Sequence, residues 1–216
     1  MSIYQFFLFL HIVAGTLGLI SGTINSSRKK GDYYHRLIGK IFFYSMLVVG
    51  TSSFVLSILR FNHFLFIVGV FTLYMVATGQ RYLYLKELRN SQQPKWIDWG
   101  LTGFMFVFGW AFIGFGSWNL FQKTTFGIVY LVFGYLGLKM VWTDLQNYRG
   151  KSDTVNYWLI AHLQRMMGAY AAAITAFLVV NNTFFPDYVA YLFPLLLFVP
   201  LITFWKKKYR VKAKKA

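Results

Sequence analysis

The sequence contains no cysteine, which excludes both a disulfide framework and a thiolate metal site. It is also poor in acid: six Asp and Glu stand against 22 Lys and Arg, a formal net charge of +16 over 216 residues. Charged residues make up only 13% of a chain that is 57% hydrophobic and 21% aromatic. A water-soluble protein of this size cannot hide that much apolar surface. No nucleophile elbow, phosphate loop, HExxH helix or dinucleotide fingerprint occurs. The segments between apolar runs reach about a dozen residues, too short for a soluble catalytic domain. Any chemistry therefore takes place at or within a membrane.

What the chain does contain is seven nearly uncharged runs of roughly 18 to 24 residues, each enough to cross a bilayer core as a helix. They extend from Ile3 to Thr23, Leu37 to Leu59, His63 to Leu85, Trp99 to Ser117, Thr124 to Thr143, Tyr157 to Val180 and Tyr188 to Trp205. In hydrocarbon every backbone amide must be paired within its own segment, so the runs are helices. The expected fold is an all-α polytopic transmembrane bundle, with one membrane domain over residues 1–205 and a basic tail over 206–216. The first run lacks the basic n-region of a signal peptide and reads as an uncleaved span.

Eighteen basic residues fall on one side of these spans, including Arg28, Arg36, Lys86, Lys151 and the tail Lys206 to Lys215, whereas only Arg60 and Lys123 fall on the other. The positive-inside rule then places the N-terminus outside and the C-terminus in the cytoplasm. This distribution predicts contact with the lipid bilayer, and with anionic lipid at the basic side, rather than with nucleic acid. Trp96, Trp99, Trp118, Tyr157, Trp158, Tyr188 and Trp205 sit near span ends, as an interfacial aromatic belt requires.

Few polar side chains lie inside the spans, and each is a functional candidate because a charge there costs at least ~2.5 kcal/mol. They are His11, Lys139, His162 and Arg165, with His35, Arg36, Lys40, Gln80, Arg81, Asp98 and Asp144 near the cytoplasmic ends and His63 at the outer end of the third span. In HIVAGTLGLISG, His11 shares one helical face with Gly15, Gly18 and Gly22. His162 and Arg165 share a face with Ala169, Ala172, Ala173 and Ala176.

Two physical causes produce such a stripe. Small residues let helices approach closely in a membrane, or they leave room for a flat cofactor such as haem b with imidazole as axial ligand. At 1.5 Å per residue, His11 and His162 differ in depth by ~10 Å, so they match poorly as ligands of one iron. His35 and His162 match better as haem or metal ligands, with Arg36 and Arg165 placed to pair with propionates. The same residues would suit a quinone head group or a proton path. Alternatively, Asp98 and Asp144 neutralise Arg36, Arg81 or Arg165 in an inner network of ion pairs or relay groups.

HIVAGTLGLISG, RKKGDYYHRLIGKIF and AHLQRMMGAYAAAITAFLVVN together resemble an uncharacterised family of predicted bacterial multispan membrane proteins, over most of the chain. That resemblance implies a bacterial inner membrane location and a multispan fold, and carries no assigned reaction. Arg36-x-x-Gly39 and Arg165-x-x-Gly168 recur at the entries of spans two and six, the pattern a parallel duplication would leave. Three functions follow as expectations: a redox protein holding haem or quinone, a small proton-coupled permease, or a structural or assembly protein.

Overall fold

A computed structural model describes residues 1–211, apart from the side chains of Asp187 and Tyr188. Lys212, Lys214 and Lys215 of the basic tail, and the interfacial role expected of the Tyr188 ring, therefore lie outside the described residues. The described residues form seven helices and no strand: α1 Ile3–Ser27, α2 Tyr33–Leu59, α3 His63–Tyr82, α4 Trp96–Phe121, α5 Gly127–Tyr148, α6 Tyr157–Val180 and α7 Asp187–Tyr209. Each is long and apolar enough to cross a membrane. The protein is an all-α polytopic membrane protein.

Local chemistry sets the boundaries. Ser2 and Gln5 exchange hydrogen bonds in a capping box at the start of α1. Gly31, with φ of 86°, makes the turn that brings Asp32 to the N-cap of α2. Its carboxylate accepts from the His35 N–H at 2.6 Å. His35 and Arg36 are thus in the first turn of α2, earlier than the sequence-based start at Leu37. At the other end of the chain, α7 continues through Lys206 to Tyr209, so the basic segment begins as helix.

The α3 boundary also differs, since the helix stops at Tyr82 rather than at Leu85. Beyond it, Leu83, Tyr84 and Leu85 each turn back to a carbonyl three residues earlier, tightening the end. The Tyr157 hydroxyl then donates to Leu85 O at 2.6 Å and accepts from Leu88 N–H at 2.8 Å. Tyr157 is only 2% exposed. It is a loop anchor, and its expected place in an interfacial belt is corrected.

The chain divides into two compact units. The first comprises Met1–Val76 with Met167–Leu195, and the second Ala77–Met166 with the segment from Leu196 onward.

In the first unit the glycine face of α1 meets protein. A Cβ at Gly15 would lie 3.9 Å from Val49, one at Gly18 2.9 Å from Met46 Sδ, and one at Gly22 3.1 Å from Phe42 and in collision with the Tyr170 ring. Phe42, Met46 and Val49 are spaced by four and three, so they form one face of α2. In the second unit, α4 and α5 approach through Gly109, Gly116, Gly127 and Gly134. A Cβ on Gly127 would lie 2.7 Å from Gly116 O. Small residues thus serve close helix contact.

Candidate functional site

The second unit holds the densest group of buried polar side chains, and its geometry begins with a glycine. Gly79, on the last turn of α3, lies where a Cβ would be 2.9 Å from Arg165 Cβ and 3.0 Å from Met166. Its missing side chain lets α6 close on α3. His162 then donates from Nδ1 to Gly79 O at 2.8 Å, since a carbonyl only accepts.

That bond completes the end of α3. The last four carbonyls of a helix lack partners within it. Those of Gln80, Arg81 and Tyr82 receive the turn N–H groups of residues 83–85, and that of Gly79 receives His162. The imidazole is a helix cap supplied by a neighbouring helix.

One turn along α6, Arg165 is 2% exposed and faces Asp144 of α5, which is fully buried. Arg165 Nη2 donates to Asp144 Oδ1 at 2.7 Å and to Met140 O at 3.1 Å. The Tyr82 hydroxyl donates to the same Oδ1 at 2.7 Å and accepts from Asn147 Nδ2 at 3.0 Å. Thr102 stands 3.5 Å from Oδ2 and 3.1 Å from the Tyr148 hydroxyl.

Tyr148 connects onward to Asp98 O at 3.4 Å. Asp98 is held by Arg81 through two bonds, of 2.7 and 2.9 Å, and caps α4 by accepting from Lys95 N–H at 2.8 Å. Two buried aspartates, each with its own arginine, are therefore linked through Thr102 and Tyr148, from the Asp144 carboxylate to the main-chain carbonyl of Asp98. A buried charge left alone would cost several kcal/mol.

The sequence expectation that Asp98 and Asp144 neutralise arginines is realised with Arg81 and Arg165. Arg36 takes no part in either pair; its side chain is exposed on α2. His35 and Arg36 belong to the first unit, whereas His162 and Arg165 belong to the second.

His11 is also in the first unit, with Nδ1 2.9 Å from Ser52 Oγ. The Ser52 hydroxyl reaches back to Val48 O at 2.7 Å, which leaves its oxygen to accept the His11 proton. His63 lies at the start of α3 with its ring edge-on to Phe61 at 4.5 Å. Among the described residues no three His, Asp or Glu side chains converge as metal ligands.

Room for a flat cofactor can be tested at the stripes. Beside His11 the glycine face is filled by Val49, Met46, Phe42 and Tyr170. On α6, Gly168 abuts Met75 Sδ, with 2.6 Å left for a Cβ, and Ala169 is wholly buried. These faces do not fit a haem.

Four residues of the cluster were not singled out from the sequence: Tyr82, Thr102, Asn147 and Tyr148. For the last three the signal was helical spacing, and Tyr82 carried none. Thr102 is four residues after Asp98, and Asn147 and Tyr148 follow Asp144 by three and four, which puts each pairing on one face.

Outside the spans two further pairs occur, Arg28 with Asp32 at 3.1 Å and Arg210 with Asp153 at 2.5 Å. Desolvation pushes the Asp153 carboxyl up, but the hydrogen bond and charge of Arg210, with the Thr154 hydroxyl, together outweigh it and hold Asp153 below the usual range. Each of the four ion pairs described joins an aspartate to an arginine.

Beside the cluster, and partly walled by Asn147, is a cleft of about 310 Å³. It lies between the last turns of α5, the 149–156 loop, the first turns of α6 and the end of α7, all within the second unit. No family model, curated protein or solved structure matches the chain.

Proposed function

We propose that the chain is an integral scaffold of a bacterial inner membrane, of the structural or assembly class, whose ion-paired core fixes helix ends and presents a basic cytoplasmic face to anionic lipid. The observation that carries this reading is the direct, fully buried contact of Arg165 with Asp144. Both carboxylate oxygens have protein partners, and neither Arg165 nor His11 lines the cleft. A carrier centre would need its charged groups open to a substrate or to water. The resemblance to multispan bacterial proteins and the positive-inside pattern support the location and orientation.

A second reading, a proton-coupled permease, is favoured by one observation. Asn147 both lines the cleft and donates to Tyr82, whose hydroxyl touches Asp144. Proteoliposomes loaded with a pH-sensitive dye and given a potential separate the two. The scaffold reading expects proton flux equal to that of empty vesicles. Flux that disappears in Asp144→Asn would overturn it in favour of a relay, and a reduced-minus-oxidised Soret band lost in His162→Ala would overturn it in favour of redox function.

A further inference from the structure

The cleft beside the buried pairs has a charge imbalance that its own residues do not resolve. Its lining includes three cations, Lys151, Lys206 and Arg210, and one carboxylate, Asp153. Asp153 is already engaged by Arg210. Lys206 is partly buried on the last turn of α7, and the charged groups that act on it are Lys139, Arg210 and Arg165, all positive. Lys151 and Arg210 remain exposed, but Lys206 is partly withdrawn from water among other cations, a position that an added anion would favour.

The frame that holds them is built in advance. Asn156 donates to Tyr209 O at 2.8 Å and accepts from Val211 N–H at 3.0 Å, tying the end of α7 to the loop before α6. Val155 N–H donates to Val211 O at 2.8 Å. Arg210 donates from Nε to Thr154 Oγ1 at 2.9 Å, which fixes its guanidinium at the cleft. Gln164 contributes an amide and Trp142 an apolar shelf that is 61% exposed. Positive charge, a fixed guanidinium, amide donors and a volume of about 310 Å³ are what recognition of a tetrahedral oxyanion requires.

We propose that this cleft binds a phosphate group, carried either by an anionic phospholipid or by a small soluble phosphate, with Lys206 and Arg210 as its charge partners and Gln164 as a hydrogen-bond donor. The inference rests on the lipid-contact part of the proposed function and not on the role of Asp144. The pocket is too small to admit a nucleic acid helix, whose recognition uses an extended charged surface.

The test uses the full chain in nanodiscs of phosphatidylglycerol or phosphatidylcholine, with lipid retention read by native mass spectrometry and stability read with and without inorganic phosphate. Lys206→Gln and Arg210→Gln are expected to weaken phosphatidylglycerol retention roughly tenfold each, the loss of one charge-assisted contact. Lys206→Arg is expected to restore it. Lys207→Gln, on the same turn but exposed and outside the cleft, is expected to change little.

If phosphate stabilises the protein through the same two residues while the two lipids are retained alike, the soluble anion is the ligand. Equal losses in Lys206→Gln and Lys207→Gln would reduce the effect to general surface charge and overturn the site, as would indifference to both lipid and phosphate. Proton flux in Asp144→Asn vesicles is read separately, so failure of the scaffold reading leaves a different signature.

Discussion

The Tyr82 hydroxyl donates to Asp144 Oδ1 at 2.7 Å, the oxygen that also receives Arg165. In Tyr82→Phe the carboxylate loses one donor and the Asn147 amide loses its acceptor. Leaving buried polar groups unmatched costs about 1–3 kcal/mol. Unfolding in mixed micelles should show a loss in that range, and an unchanged midpoint would mean the hydroxyl carries no stability.

Asp144 and Arg165 should behave as a unit. Replacing either alone, Asp144→Leu or Arg165→Met, strands a buried charge and is expected to cost about 3–5 kcal/mol. Asp144→Leu combined with Arg165→Met removes both charges and should recover most of that loss. A double variant whose loss equals the sum of the single losses would show that the two side chains are not coupled.

The glycine face of α1 gives a graded series. Gly15→Ala meets only ordinary contact at 3.9 Å and should be neutral or slightly stabilising, because alanine is the better helix former. Gly18→Ala presses on the flexible end of Met46 and should fall between. Gly22→Ala runs into the Tyr170 ring and is expected to cost roughly 1–3 kcal/mol as overpacking. Thermal stability that does not follow this order would remove the packing explanation.

At the start of α2 the hydrogen bond from the His35 N–H holds the Asp32 carboxyl below its ordinary 3.8, with help from Arg28. A lowered folded value means the stabilisation is complete above pH 3.8 and disappears as pH falls through the folded value. Exchange of the His35 amide should accelerate, beyond its intrinsic pH dependence, only in that acid range. Asp32→Asn should keep the cap without the titration, and Asp32→Ala should fray the helix at every pH.

The number and approximate position of the spans were legible because bilayer thickness imposes a length and hydropathy signal on each run. The acid partners of the buried arginines were legible too, since so few carboxylates exist. The histidines were harder. His162 in a span suggests a ligand, but its partner is a backbone carbonyl at a helix end, and backbone demand leaves no mark in the sequence. The glycines after His11 fit space or contact equally well until Phe42, Met46 and Tyr170 fill the face. Tyr157 sits beside Trp158 at a span end like any interfacial residue, and only the loop that folds over it reveals its burial.

The pairing of every bridged aspartate with an arginine divides the positive residues by task. Guanidinium groups supply these ion pairs, whereas lysine supplies much of the remaining surplus of charge. Acylating the exposed amines would therefore discharge much of the protein's surface without unlocking its interior. A reagent that condenses with guanidinium would meet Arg165 only after the helices had parted. Surface potential and architecture can thus be altered one at a time in the same short chain.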